Sequence, residues 1–287
     1  RSYGYRSGEP GIRDFALELF RSCYAMGTDG EVKLTADALV FLKRWKDSRR
    51  FDESFQSLSS ECEGILGIEQ DLTKRDFREL IDLDYFRLID QKIVSDLVRE
   101  TLSRTVSAGD VTLWVRRRRQ GRWYREFSHL YEAIEYAARF LHALDEADLS
   151  MESLADGVQR YCGSWFRIDQ LYRKFTYHVR MSGQATLMSA LSDRIENLYS
   201  NSYLLKLGDA FQIFVDTAPR WEAFPLHTQK EFFERRVRPF LRKENKVCVI
   251  VSDALRFEIA DELLGLIRQE DRYSAELEPA LSMLPSY

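Results

Sequence analysis

Helical periodicity is the feature that most constrains the fold of this chain. From about residue 10 to residue 205, apolar residues recur at steps of three and four. This spacing places them on one face of an α-helix, which can then pack against a core. The first segment of this kind carries Ile12, Phe15, Leu19, Cys23 and Met26. The pattern predicts a mostly α-helical domain over residues 10–225, after a flexible start over residues 1–9.

Capping residues divide this region into separate helices. Thr35 precedes a second helical segment and can cap it, because a threonine hydroxyl accepts a hydrogen bond from a free N–H of the first turn. A third segment ends at glycine. Thr73 stands three residues before Asp76, a variant of the capping box, and opens a long stretch that predicts one long helix or two.

Composition and missing motifs exclude several classes of protein. The 42 basic and 46 acidic side chains give a net charge of −4, so the chain as a whole presents no positive field to nucleic acid. Four cysteines and four histidines are scattered without the spacing of a zinc finger or a disulfide framework. The glycine-rich phosphate loops and the G-x-S-x-G motif are also absent from the sequence. With no apolar run long enough for a bilayer, the expectation is a cytoplasmic protein that does not contact membranes.

The helical pattern of the sequence ends after residue 216. Two prolines and several aromatic residues interrupt the helical pattern over residues 217–228, which are interpreted as a linker. Residues 247–251 then form a short apolar run rich in β-branched residues, as expected for a strand covered on both faces. A helical stretch and a second extended stretch follow it. This order predicts the start of an α/β domain over residues 229–287.

Asp253 follows the apolar run directly. The carboxyl end of an inner strand is where open α/β sheets place ligands, and a carboxylate there could bind a divalent metal. The same residue could instead cap the following helix. The residues alone leave both interpretations open.

The segment KVCVIVSDALRFEIADEL at 246–263, followed by LSMLPSY, resembles the PglZ proteins of BREX phage-resistance systems. Their catalytic domain is similar to the alkaline phosphatase superfamily. Weaker resemblance extends upstream, through FLKRWKDSRRF at 41–51, RIDQLYRKF at 167–175 and ENLYSNSYLLKL at 196–207. The resemblance therefore covers most of the chain, and the chain looks like a central fragment of such a protein.

The resemblance implies a metal-dependent phosphodiesterase or nuclease in which Asp253 is a ligand of a divalent metal, most simply zinc. In this family the nucleophile is expected directly after Tyr287, so Ser286, the nearby hydroxyl, is not assigned that role. The segment alone is therefore expected to lack catalytic residues, to bind no metal and to be inactive. Other BREX proteins are the implied partners, and the helical region would dock them.

An arginine-rich stretch at 114–127 raises the possibility of DNA binding. The stretch contains Arg116, Arg118, Arg122 and Arg125, interleaved with Trp114, Trp123 and Tyr124. In such a mixture the arginines can bind phosphates and the aromatic rings can stack on bases. Three alternatives remain open: a salt-bridged helix surface, a nucleic-acid contact and a protein contact. Arg256 could similarly touch a phosphate or pair with a carboxylate such as Glu258.

For the whole protein, two alternatives to an enzyme remain. The chain could be a non-catalytic interaction module of the defence complex, or a helical scaffold that contacts DNA.

Overall fold

A computed structural model describes residues 3–243, 246–253, 255–270 and 272–282. The chain divides into two compact units. Unit 1 comprises Arg1–Arg139 and Phe175–Arg194, and unit 2 comprises Phe140–Lys174 and Ile195–Tyr287. The predicted domain boundary near residues 225–229 is based on the change in sequence pattern there, and it stays a prediction.

The mostly α-helical architecture that the periodicity predicts is confirmed. In chain order the α-helices are α1 Ile12–Gly27, α2 Ala36–Lys46, α3 Asp52–Leu66, α4 Ile68–Leu72, α5 Phe77–Leu80, α6 Arg87–Leu102, α7 Ala108–Arg118, α8 Tyr124–Glu146, α9 Leu154–Arg160, α10 Phe166–Ser182, α11 Ala185–Asn197, α12 Leu205–Thr217, α13 Arg238–Leu241 and α14 Phe257–Gln269. Short π-helical turns follow α9 at Tyr161–Trp165, follow α11 at Leu198–Leu204 and precede α13 at Phe233–Val237.

Local sequence accounts for several helix ends. Thr35 occupies the predicted N-cap position of α2, although its side chain makes no capping hydrogen bond to the first turn. Gly67 ends α3 in the left-handed conformation, with φ of 64°, which suits a residue without a Cβ atom. The carboxylate of Asp76 caps α5 by accepting a hydrogen bond from the backbone N–H of Arg78. The long stretch after Thr73 therefore forms two helices, α5 and α6.

Aromatic side chains fill the core of unit 1. Phe20 lies between Phe55 and Phe86, with ring centroids 5.3 and 5.6 Å away, and all three rings are buried. Burial of side chains of this size contributes about 1.5–3 kcal/mol each. Within the segment predicted to be a flexible start, Tyr3 and Tyr5 pack against Phe15 of α1, and the flexibility itself stays a prediction.

In unit 2, the segment predicted to be a linker is packed in part. Ala223 is buried in a small apolar cluster with Leu154 and Leu281. The indole N–H of Trp221 donates to the backbone carbonyl of Ser282 at 2.7 Å. Ala223 is buried but Phe224 is 85% exposed, so the segment is packed only in part and its interpretation as a linker stays a prediction.

The predicted strands are mostly absent from the described residues. β1 (His227–Thr228) and β2 (Ala280–Leu281) form a short parallel pair, which confirms only part of the second extended stretch. No ladder in the described ranges includes residues 247–251, where Ile250 and Val251 are 88% and 84% exposed. An apolar β-branched run becomes a buried strand only when neighbouring strands pair with it and helices cover it. The helix predicted after this run is present as α14. Across the described ranges, no helix has the combination of length and apolar character needed to cross a membrane.

Candidate functional site

Asp253 lies in an exposed turn just before α14. The N-cap residue of α14 is Arg256, whose side chain is also exposed. Asp253 is three residues away from that position, so its interpretation as the N-cap of this helix is wrong. The carboxylate is accessible at the surface of this segment, and the predicted roles of Asp253 and Arg256 toward metal and phosphate stay predictions.

A complete metal site is not formed by the described part of the chain. Within it, no group of three or more His, Cys, Asp or Glu side chains lies close enough to hold an ion. Divalent cations in proteins take several oxygen or nitrogen ligands, so a lone carboxylate at position 253 does not fit the requirement. Ser286 and Tyr287 lie outside the described residues.

The helix after the Asp253 turn is anchored to α10 and to the π-helical turn before it. The ring of Phe257 meets the rings of Phe166 and Tyr161 edge-on, at centroid distances of 5.0 and 6.4 Å. One turn further along α14, Glu262 binds Arg173 and accepts a hydrogen bond from Lys174 at 2.8 Å. The predicted scaffold role of Arg173 agrees with this ion pair.

Unit 2 also contains a group that we call the Asp169 cluster: Asp169, Tyr161, Tyr199 and Tyr203. Tyr161 and Tyr199 donate their phenol hydrogens to Asp169, at 2.7 and 2.8 Å. The hydroxyl of Tyr203 lies 3.3 Å from Asp169 and 3.1 Å from the backbone carbonyl of Trp165, so its single hydrogen is shared between the two. All three stand in π-helical turns. Such turns insert an extra residue into a helix and re-aim its side chains, and they are frequent at functional sites.

The phenols of the Asp169 cluster remain protonated. Burial raises the pKa of each of the three tyrosines, and the negative charge of Asp169 raises it further. The phenols are therefore available as hydrogen-bond donors.

Glu258, the second residue of α14, has a different environment. Its side chain is 0% exposed, and neither carboxylate oxygen has a hydrogen-bond partner among the described residues. Burial raises the pKa of Glu258, and the nearby charge of Asp169 raises it further, while the dipole of its own backbone N–H and the charges of Arg256 and Arg173 lower it.

The four predicted nucleic-acid arginines do not share a surface. α7 ends at Arg118 and α8 begins at Tyr124, so Arg118, Arg122 and Arg125 do not lie on one continuous helix. Arg118 is buried: its guanidinium binds the carboxylate of Asp90 and donates to two backbone carbonyls. A nucleic-acid contact by Arg118 is therefore excluded by its burial.

Arg122 is also engaged within unit 1. It donates to the backbone carbonyl of Lys46 at 2.5 Å and to the side chain of Asp52 at 2.6 Å, and it lies over the ring of Phe55. These contacts remove Arg122 from the predicted nucleic-acid set, because its donors are directed at the protein.

Arg116 and Arg125 are exposed and have no ion pair among the described residues. Between them in sequence, Arg117 pairs with Asp82, and Arg119 pairs with Glu132. The alternative of a salt-bridged helix surface thus holds for Arg117 and Arg119. A nucleic-acid contact stays a prediction for Arg116 and Arg125 alone.

Sequence reasoning missed two groupings. Asp169 lies in the stretch 167–175, but the local pattern does not show that Tyr199, 30 residues away, would donate to it. His129 and His178 also meet, with their Nδ1 atoms 2.9 Å apart, although 49 residues separate them. Neither grouping has a local signal, because each depends on which helices pack together.

Comparison with known proteins adds the remaining information. Residues 232–287 match the family described as the BREX system PglZ alkaline phosphatase-like domain. The chain is 30% identical to the "Alkaline phosphatase-like protein BrxZ" of Escherichia coli O9:H4 (strain HS), over 99% of this chain and 36% of that protein. It is 24% identical to the "Alkaline phosphatase-like protein PglZ" of Bacillus cereus (strain H3081.97), over 100% of this chain and 35% of that protein. No solved structure matches the chain.

The chain spans about a third of the length of these two relatives. Both alignments cover nearly all of its residues, the helical region as well as the segment around Asp253. The resemblance seen in the motif at 246–263 is therefore confirmed, and the chain belongs to the PglZ family of BREX systems.

Proposed function

We propose that this chain is the helical scaffold and the opening of the catalytic domain of a metal-dependent phosphoesterase that acts in BREX phage defence. The observation that carries the proposal is the match of residues 232–287 to an alkaline phosphatase-like domain, with Asp253 in an exposed turn within the match. In the proposal, the residues after position 229 begin an α/β domain. Asp253 supplies one ligand of a divalent metal, zinc being the first candidate, in a site that other residues complete.

The anchoring of α14 supports a scaffold role for the helical region. The helix that follows the Asp253 turn is held by Phe166, Tyr161, Arg173 and Lys174. These residues come from the helical region, whereas α14 belongs to the family match. The helical region can therefore hold the start of the catalytic domain, and we propose that it also docks other BREX proteins. A cytoplasmic location is part of the same proposal.

The decisive experiment compares Asp253→Ala with Asp209→Ala in the complete protein. Asp209 is an exposed aspartate of α12 and serves as the matched control. Metal content by elemental analysis and cleavage of a chromogenic phosphodiester should both fall for Asp253→Ala and stay unchanged for Asp209→Ala. Full metal content and activity in Asp253→Ala would refute the assignment of a ligand. Residues 1–287 alone should be inactive, and metal-dependent cleavage by them would contradict the proposal.

A non-catalytic interaction module is the second candidate, and one observation favours it. Unit 1 carries an apolar groove of about 1310 Å³, with Ile12, Phe41 and Phe51 exposed along it. Exposed apolar patches of this kind often mark protein contacts. Retained binding of a BREX partner by a complete protein that takes up no metal would favour this function over catalysis.

A further inference from the structure

We propose that the apolar groove of unit 1 docks an amphipathic helix of a partner protein, and that this helix carries acidic side chains beside its apolar stripe. The inference rests on the proposed docking role of the helical region and names the kind of segment that is docked. It does not depend on the proposed metal site. Residues of α1, α2 and α3 line the groove, and all of them belong to unit 1.

The wall formed by α1 has the spacing of a helical stripe. Ile12, Phe15, Ala16 and Leu19 line the groove at positions i, i+3, i+4 and i+7, so they share one face of the helix. From α3, Leu58 lines the same groove. Seven residues extend about 10 Å along a helix axis, so this wall can contact about two turns of a docked helix.

The aromatic part of the groove is fixed by packing. The half-buried ring of Trp45 lies 5.7 Å from the ring of Phe55 and 6.5 Å from that of Phe20, both of which are buried. Phe41 lies 6.4 Å from Trp45 and is exposed, as is Phe51 on the same groove. A surface that is already ordered loses little conformational entropy on binding, so these rings suit a role as docking anchors.

The size of the groove points to an occupant larger than a small molecule. Its volume of about 1310 Å³ exceeds the range of about 300–1,000 Å³ that is usual for small-molecule pockets. A second cavity, of about 340 Å³, shares Ala16 and Leu58 with the groove and continues the apolar surface to Leu17 and Ile65. Open apolar surfaces between helices receive amphipathic helices, which insert apolar side chains at i, i+3 or i+4 and i+7.

The unpaired charge of the groove is positive. Among the described residues, the charged ones that line it are Arg13, Arg44 and Glu61, and Arg13 binds Glu61. Arg44 is exposed, and none of the described residues forms an ion pair or a hydrogen bond with it. The guanidinium of Arg50, likewise without an ion pair in the described ranges, lies 5.4 Å from the ring centre of Phe51. Carboxylates on the docked helix would pair with Arg44 and Arg50, whereas a basic helix would be repelled.

The first experiment identifies the docked segment. The photoreactive residue p-benzoylphenylalanine is placed at position 41 of the complete protein, which is irradiated together with the other proteins of the same BREX system. Mass spectrometry should identify a cross-linked segment of one of those proteins, with an apolar helical stripe flanked by Asp or Glu. The same residue at position 113, exposed on α7 outside the groove, should not cross-link to this segment. A cross-link to a second copy of this chain or to a basic segment would overturn the inference, as would the absence of any cross-link at position 41.

The second experiment separates the apolar contribution from the charge contribution. Surface plasmon resonance measures binding of the complete protein to the cross-linked BREX protein. Phe41→Asp should weaken binding about tenfold or more, as expected for loss of an aromatic anchor. The double variant Arg44→Glu with Arg50→Glu should slow association about tenfold at low salt and reduce its salt dependence. Leu113→Asp and Arg116→Glu, at exposed positions of α7 outside the groove, are the matched controls and should bind like the wild type.

Failure of the inference can be distinguished from failure of the proposed function. If the wild type binds a BREX protein and both groove variants bind it equally well, the inference is overturned and the docking role stands. If no BREX protein binds the wild type, the docking role fails together with the inference. The proposed metal site is tested by Asp253→Ala, which should leave binding at the groove unchanged.

Discussion

Replacing Arg118 by methionine should be among the most damaging single changes in unit 1. The side chain of Arg118 is 1% exposed and that of its partner Asp90 is 0% exposed. The guanidinium also donates to the carbonyls of Ile81 and Leu83, at 2.9 and 2.6 Å. Asp90 would keep a single donor, the hydroxyl of Tyr131 at 2.6 Å.

The expected loss follows from the buried charge that remains. Removing one partner of a buried ion pair costs about 3–5 kcal/mol, because the other charge stays desolvated and uncompensated. We therefore expect Arg118→Met to lower the free energy of unfolding by about 3–5 kcal/mol. The double variant Arg118→Met with Asp90→Leu should recover much of this loss, since replacing both partners by apolar residues is often close to neutral.

The neighbouring Arg117 is a matched control. It pairs with Asp82 at the surface, where the two side chains are 44% and 68% exposed. Exposed pairs contribute between about 0 and 1 kcal/mol, so Arg117→Met should change stability by no more than this. Urea unfolding followed by far-ultraviolet circular dichroism measures all the variants. Equal, small losses for Arg117→Met and Arg118→Met would refute the buried-charge reasoning.

Two further predictions concern packing and exposure. A Cβ atom at Gly27 would clash with the side chain of Leu83, so Gly27→Ala should destabilise the protein by about 1–3 kcal/mol in urea unfolding. Gly64, inside α3, has open space at that position, and Gly64→Ala should stabilise by about 0.5–1 kcal/mol; a loss there would contradict the geometry. Cys248 is exposed, so a thiol reagent should label it in the native chain, whereas buried Cys23, with its pKa raised to about 11 by burial, should react only after unfolding. Protection of Cys248 in residues 1–287 would show that the apolar run is covered.

The local features of this fold were predictable from the sequence. The start of α2 after Thr35, the end of α3 at Gly67 and the presence of α14 follow from capping residues and periodicity. Helix formation depends on residues within about four positions of one another, so these features have local signals. The motif around Asp253 also indicated the family, since a strongly patterned segment can be recognised without a structure.

The same local reasoning failed where an outcome depends on distant residues. Residues 247–251 have the composition of a buried strand, yet Val251 is exposed, because a strand exists only through the neighbours that pair with it. The arginine-rich stretch predicts a charged surface. Arg118 nevertheless lies in the core, where its guanidinium binds Asp90, a residue 28 positions earlier in the chain.

By itself, the sequence determined the helical class of the protein, several helix boundaries and membership of the PglZ family. Tertiary structure alone decided that Arg118 is buried, that Tyr161 and Tyr199 donate to Asp169 and that Glu258 is buried. The physical reason is that periodicity and capping act over a few residues, whereas burial and hydrogen-bond partners depend on which helices pack together.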